Sequence, residues 1–153
     1  MELTIDQPFD LGASLESGQA HRWKKSDDWY AGVVRGEFIQ IRQKAQAVEF
    51  SSVPSPEEAA AKMLRDYFRL DDDIDAIYSD LNRDGRVAAM VNQYPGLRIL
   101  RTEPWECLVA FICSANNNIA RIHQLMERMS DEFGSPLTLN GLTRHTFPSP
   151  ADL

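Results

Sequence analysis

At 153 residues, with 43% hydrophobic and 25% charged residues, the chain has the length of one ordinary domain and a composition that excludes a disordered protein. Its formal net charge of −7 argues against a nonspecific nucleic-acid binder, which would be basic, although residues 104–130 contain only two acids, Glu106 and Glu127. The N-terminus lacks a signal-peptide pattern, and no apolar run approaches the roughly 20 residues that span a bilayer. Cys107 and Cys113 do not suggest a disulfide framework. Together these observations predict an intracellular protein with reduced thiols.

The first fifty residues have the pattern of β-strands. Leu3 and Ile5 alternate with polar neighbours, and four further short segments follow: HRWKK, WYAGVV, EFIQIR and AVEFSS. Short polar or glycine-containing turns such as Arg35-Gly36 separate these segments. Because parallel strands would need long crossover connections, the spacing predicts an antiparallel meander.

After Val53 the hydrophobic period becomes that of helices. Ser55, Pro56 and Glu58 have the pattern of an N-cap, a proline at the first helical position and an acid at N3, which predicts a helix capped by Ser55. Further helices are predicted around residues 74–81 and 87–91, from Pro104, and after the asparagine run at 116–118. The predicted fold class is α+β, with an antiparallel sheet over 1–53, helices that complete or bridge that domain over 54–103, and the start of a helical domain over 104–153.

The last residues repeat this helix-start signature. Ser149-Pro150-Ala151-Asp152 again places a capping residue before a proline and an acid at N3. A helix start with no helix behind it leads us to expect that the chain is a piece of a longer protein.

No metal site or cofactor is predicted. Residues from Asp80 to Val87 match the beginning of a calcium-binding EF-hand loop, but its twelfth position, which should supply a bidentate glutamate, is Val91. A turn between two short helices is the favoured interpretation. The histidines have no cysteine or carboxylate at ligand spacing in the sequence.

Two polar segments each allow two interpretations. Residues 17–23, SGQAHRW, are either a glycine turn that leads into a strand or a backbone that approaches a ligand closely, which glycine permits. Asn116, Asn117 and Asn118 exceed the single asparagine that a helix cap needs. Their amides, with Arg121, form either a capped polar loop or a surface suited to base edges.

Taken together, three segments resemble the 8-oxoguanine DNA glycosylase family: SGQAHRW, then PWECLVAFICSANNNIARI at 104–122, and Phe147-Pro148-Ser149. The resemblance extends from residue 2 to the last residue, and the long central pattern is its most specific part. It implies a TATA-binding-protein-like twisted antiparallel sheet, followed by the first helices of an all-α glycosylase domain that carries a helix-hairpin-helix. It also implies an enzyme that flips the damaged base out of the duplex before acting on it.

The resemblance assigns lesion recognition to Gly18, Asn117 and Phe111. The Gly18 carbonyl resembles the one that accepts a hydrogen bond from the lesion, whose N7 carries a hydrogen where guanine has an acceptor. Asn117 resembles an amide on the pocket side, and Phe111 lies beside these groups or packs in the core.

The resemblance assigns DNA binding to Asn116, Asn118 and Arg121. Asn116 resembles the residue that fills the gap left by the flipped base, and Arg121 resembles an arginine that contacts the orphaned cytosine. Asn118 completes the asparagine run on the DNA-reading surface. The implied partner is damaged double-stranded DNA, which predicts a location with the DNA, in a nucleus or a bacterial cytoplasm.

The implied activity is removal of 8-oxoguanine opposite cytosine by a base-excision repair glycosylase with associated lyase activity at abasic sites. The family's lysine nucleophile, catalytic aspartate and helix-hairpin-helix match nothing in these residues, so we expect a catalytically inactive N-terminal fragment whose missing C-terminal portion is its partner. An alkylated-base DNA glycosylase of related fold and a non-catalytic DNA-binding domain remain as alternatives.

Overall fold

A five-stranded antiparallel sheet forms the N-terminal half, as the strand pattern predicts. The computed structural model describes residues 1–153, and the strand order is β1-β5-β4-β3-β2. The strands are β1 Glu2–Thr4, β2 Trp23–Ser26, β3 Trp29–Val34, β4 Glu37–Lys44 and β5 Ala47–Val53. Two-residue turns join β2 to β5 in succession, and each begins with a residue of positive φ: Asp27, Arg35 and Ala45. Such turns match the twist of adjacent antiparallel strands.

Six helices accompany the sheet: α1 Leu11–Glu16, α2 Glu57–Tyr67, α3 Ile74–Leu81, α4 Gly85–Gln93, α5 Pro104–Cys113 and α6 Ile119–Phe133. The sequence did not predict α1, a helix of six residues inside the strand region. Asp10 begins it, because the carboxylate oxygen Oδ1 accepts a hydrogen bond from the Ala13 N–H at 2.8 Å. None of these helices has both the length and the apolar character needed to cross a bilayer.

The predicted cap of α2 is wrong. Pro56 is the N-cap residue and no side chain caps this helix. The Ser55 hydroxyl instead donates a hydrogen bond of 2.6 Å to the Glu37 carboxylate, at the start of β4. A tertiary partner has therefore replaced the local cap.

One face of the sheet packs against α1 and α2 to form the main core of 17 buried residues. Ile39, Ile41 and Phe50 from the sheet and Leu64 and Phe68 from the helical side have no accessible surface. Fully burying side chains of this size contributes about 1.5–3 kcal/mol each. This core holds the sheet as a fixed base for the remaining helices.

A separate hairpin, not predicted from the sequence, covers the opposite face of the sheet. Strands β6 Pro136–Leu139 and β7 Leu142–His145 are joined by the turn residues Asn140 and Gly141. Leu139 is buried with Val33 and Phe38, which point away from the main core. The chain that follows α6 thus returns to the N-terminal sheet.

Candidate nucleic-acid interface

The asparagine run connects α5 to α6, and each asparagine has a separate local role. Asn116 adopts a left-handed φ of 56°, which asparagine tolerates better than most residues. The Asn117 side-chain amide donates to the Cys113 carbonyl at 2.8 Å and satisfies the end of α5. Asn118 is the N-cap of α6, since its side-chain oxygen accepts from the Arg121 N–H at 2.9 Å. The prediction that this run leads into a helix is confirmed.

The first turn of α6 presents polar groups to solvent. Arg121 is exposed, as are all three asparagines, and its Nη1 donates to the Gln124 side-chain oxygen at 3.3 Å. Asn116 makes no side-chain hydrogen bond within the chain, whereas Asn118 uses its side-chain oxygen for capping. The loop and the first turn of α6 therefore offer one uncommitted amide, two partly committed amides and a guanidinium to solvent.

Gly18 lies where α6 begins. Its φ is +86°, and a Cβ built on it would lie 3.2 Å from Ile119 Cδ1. Any other residue would therefore be strained and would also contact α6 tightly. Both interpretations of this segment have support, because the glycine makes the turn after α1 and also brings backbone to a cavity.

Gln19 anchors the Gly18 turn. Its side-chain Nε2 donates to the Arg98 carbonyl at 2.7 Å, and its Oε1 accepts from the Leu100 N–H at 2.9 Å. Both contacts are made to the extended chain that precedes α5. The position of Gly18 is thus set by long-range hydrogen bonds.

A cavity of about 320 Å³ separates the sheet from α5 and α6. Its lining includes Gly18, Trp23, Tyr67, Glu106 and Phe111. Phe111 is 76% exposed, so it is a residue of the cavity edge and not of the core. The structure brings Gly18 and Phe111 together here, whereas Asn116, Asn117, Asn118 and Arg121 lie outside the lining. Asn117 is thus outside the cavity that the resemblance predicts its amide to face, and its role in lesion recognition remains a prediction.

A buried ionic cluster, formed by Arg22, Glu106, Glu127 and Arg144 with the exposed Lys24 at its edge, underlies the cavity. The Arg22 side chain is only 3% exposed, and its guanidinium lies 3.5 Å from Glu127 and 4.0 Å from Glu106. Glu127 also pairs with Lys24 at 3.0 Å and with Arg144 at 2.9 Å. Burial raises the pKa of Glu106 to about 7, against the attraction of Arg22.

This cluster is not predicted from the sequence. Arg22, just before β2, also donates to the backbone carbonyl of His145, so it connects this segment to α5, α6 and β7. A usable signal was present in Glu106, the sole charged residue of the ten-residue α5. A single acid in an otherwise apolar helix calls for a partner.

No group of three or more histidine, cysteine, aspartate or glutamate side chains is arranged to hold a metal ion. Asp84 of the EF-hand-like segment is instead the N-cap of α4, as its carboxylate accepts from the Arg86 N–H at 2.8 Å. The segment is a turn between α3 and α4, as favoured from the sequence.

Residues 2–108 match the family model described as the N-terminal domain of 8-oxoguanine DNA glycosylase. The Arabidopsis thaliana protein named N-glycosylase/DNA lyase OGG1 is 32% identical over 148 residues, which cover 91% of this chain and 40% of that protein. The chain therefore spans less than half the length of this curated relative. The resemblance read from the sequence is confirmed.

Solved structures agree with the predicted fold class. A Clostridium acetobutylicum 8-oxoguanine glycosylase/lyase, solved with double-stranded DNA containing cytosine opposite 8-oxoguanine, has a TM-score of 0.88 and 27% identity, over 100% of this chain and 55% of that one. The 3-methyladenine DNA glycosylase of Archaeoglobus fulgidus has a TM-score of 0.78 at 14% identity, over 99% and 57% of the two chains, which is a likeness of fold alone.

Proposed function

Since the chain belongs to the 8-oxoguanine DNA glycosylase family, we propose that it forms the lesion-recognising part of a base-excision repair glycosylase that removes 8-oxoguanine opposite cytosine and cleaves the abasic site. The observation that carries this proposal is the placement of Gly18 and Phe111 on one cavity, directly beside the asparagine run. The partner is damaged double-stranded DNA, and the location is inside the cell, with that DNA.

The lesion is recognised through a backbone carbonyl. A base flipped out of the duplex enters the cavity beside Gly18, where the Gly18 carbonyl oxygen lies against N7 of that base. In 8-oxoguanine N7 carries a hydrogen and donates, whereas in guanine it is an acceptor and would face the carbonyl without a hydrogen bond. Such an unpaired contact costs about 1–3 kcal/mol, enough to separate a lesion from a normal base. Phe111 contributes an apolar surface at the cavity edge, and Asn117 an amide outside it.

The opposite strand is read by the loop between α5 and α6. Asn116, at the tip and with an uncommitted amide, fills the space that the flipped base leaves. Arg121 supplies planar donors suited to O2 and N3 of the orphaned cytosine. Asn118 keeps its side-chain NH₂ for the DNA while its oxygen caps α6.

The catalytic groups are proposed to lie in the part of the relatives that this chain does not match. None of the four lysines lines the cavity, and Lys24, Lys25 and Lys44 are each paired with a glutamate. A lysine nucleophile and an aspartate supplied from elsewhere would form and resolve the covalent sugar intermediate. We also propose, from the family resemblance, that the chain is divided into part of the sheet domain over 1–53, helices that complete or bridge it over 54–103, and the start of the helical domain over 104–153.

The test is single-turnover excision by the complete product of the gene that encodes this chain, with 8-oxoguanine opposite each of the four bases. Arg121→Ala should reduce the preference for cytosine by about tenfold, the value of one good planar contact of 1–3 kcal/mol. Arg128→Ala, which removes an exposed arginine two turns further along α6, should keep the parent's ranking. An unchanged ranking with Arg121→Ala would remove its assigned role.

A separate comparison tests Gly18. Gly18→Ala should slow excision of the lesion more than cleavage of an abasic duplex, because an abasic site places no base against the carbonyl. Equal slowing of both reactions would contradict the pocket role. Excision of alkylated bases without excision of 8-oxoguanine would favour the alkylated-base alternative, and duplex binding without any excision would favour a non-catalytic DNA-binding domain.

A further inference from the structure

Two histidines in edge-to-face contact join the loop after α1 to α6. The ring centroids of His21 and His123 lie 5.1 Å apart at an interplanar angle of 70°, an edge-to-face contact. His21 Nδ1 and His123 Nε2 are both buried without a hydrogen-bond partner. A protonated ring would make its buried nitrogen a charged donor that has no acceptor, whereas in a neutral ring the same nitrogen can carry no hydrogen, which costs less.

The pair lies between the two recognition elements. His21 is three residues after Gly18, and His123 is two residues after Arg121. One turn earlier on α6, Ile119 contacts the Gly18 position. The helix that carries Arg121 therefore touches the Gly18 loop at two points about one turn apart. Their relative position depends on both contacts.

The charges around the pair do not favour an imidazolium ion. Burial lowers the pKa of His21, and the neighbouring His123 lowers it further. Burial also lowers the pKa of His123, although Glu127 opposes this. Glu127 is already paired with three cations. The charged and titratable side chains that line the same cavity as His21 are Arg22, Arg35, Tyr67, Glu103, Glu106 and Cys107. Glu127, Lys24 and Arg144 are joined to this group by ion pairs.

We propose that His21 and His123 are positioning residues that hold the Gly18 loop against α6, and that they do so only while both rings are uncharged. The consequence for repair rests on the proposed function: acidification would weaken lesion recognition and opposite-base reading together. Because separated rings protonate with the ordinary pKa of 6.5 and the buried, packed rings resist protonation, the docking is complete above that pH and is lost as the pH falls below it.

The first experiment follows the histidine ring protons of the 153-residue chain by NMR between about pH 5 and pH 8. His21 and His123 should titrate at lower pH in the folded chain than in urea. The melting temperature of the His21→Phe/His123→Phe double variant, which keeps two aromatic rings, should fall less on acidification than that of the parent. His145→Gln is the control: the His145 ring lies 3.0 Å from the Asp131 carboxylate, away from the pair, so its loss should not reduce the acid sensitivity. Titration at or above the urea values, or identical pH dependence of the double variant, overturns the proposal.

Glu106 titrates in the same range with the opposite sign, so Glu106→Gln is included in this comparison. The folded-state pKa of Glu106 is raised to about 7. Glu106 therefore lowers the stability of the folded chain increasingly as the pH rises from 4.5 to 7. Acid sensitivity from the histidine pair should therefore be steeper in Glu106→Gln than in the parent. A shallower slope contradicts the assignment of this sensitivity to the pair.

The second experiment measures excision and opposite-base preference across the same pH range in the complete gene product. The parent should lose up to about tenfold in excision for each unit by which the pair's pKa is lowered, and the double variant should lose less. If the product excises the lesion with the same pH profile in both proteins, the positioning proposal fails while the proposed function stands. If it excises nothing at any pH, the proposed function fails, and the titration and melting results still decide the role of the pair.

Discussion

Replacing Arg22 with methionine tests the buried ionic cluster. The side chain is 3% exposed and approaches carboxylates on both α5 and α6, so methionine removes the charge while keeping an apolar stem of similar length. Glu127 keeps Lys24 and Arg144, but Glu106 loses its single ion-pair partner. Removing one member of a buried pair costs about 3–5 kcal/mol. Because one of the two acids stays paired, we expect the lower end of that range.

The loss should depend on pH in a definite direction. Arg22 lowers the pKa of Glu106 while burial raises it to about 7, so the variant should have a still higher value. A folded-state pKa above the unfolded value of 4.5 makes stability fall as the pH rises through that interval. In the variant this decline should continue to a higher pH than in the parent.

Urea unfolding followed by tryptophan fluorescence at pH values near 5.5 and 8 would measure both effects. Arg83→Met is the matched control, because Arg83 pairs with Asp80 at the surface, where the side chains are 80% and 73% exposed, and such pairs contribute about 0–1 kcal/mol. Adding Glu106→Gln to Arg22→Met should recover part of the loss. An Arg22→Met variant as stable as Arg83→Met at both pH values would refute the argument that Arg22 neutralises buried acids.

Three further substitutions test local features. Asn118→Ala removes the N-cap of α6 and should lower the free energy of unfolding by about 1 kcal/mol, measured by urea denaturation. Gly32→Ala places a Cβ 2.5 Å from the Trp23 ring and should displace it, which a change in tryptophan emission would report; unchanged emission would contradict the contact. Gly96→Ala places a Cβ 2.7 Å from backbone atoms of Phe9 at φ +84° and should lower the melting temperature more than Gly36→Ala, whose Cβ would meet nothing within 4 Å; equal effects would point to φ alone.

The sheet could be predicted from local pattern because its information is local. Alternating residues and two-residue turns, such as Arg35-Gly36, define both the strands and their antiparallel order. The six-residue α1 was missed because a helix so short has barely one repeat of its hydrophobic period. The hairpin β6–β7 was missed although Asn140-Gly141 is a strong turn signal. Ser55 was misassigned because Glu37, distant in sequence, competes for its hydroxyl.

In the candidate site, too, local sequence patterns were predictable and long-range contacts were not. Gly18 and Phe111 were predicted as site residues from the family resemblance, and the structure places both in the lining of one cavity. The contacts of Arg22 with Glu106, Glu127 and His145 join residues that lie 84 to 123 positions apart, and no local period reports such a contact. The edge-to-face contact of His21 with His123 likewise joins residues that are far apart in the sequence.

The return of the chain to the sheet after α6 changes how the asparagine loop can open. Before α5, Arg101 donates its N–H to the Tyr67 carbonyl and its own carbonyl accepts from Arg35; after α6, the β6–β7 hairpin lies on the opposite sheet face. The segment that contains α5, the asparagine run and α6 is thus held to the sheet domain at both ends. If the backbone were cleaved at the asparagine run, each helix would keep its own contacts with the sheet domain, so the two halves of the chain would remain associated. Hydrogen exchange at residues 114–118 should accordingly proceed by local opening, well below the free energy that unfolds the sheet.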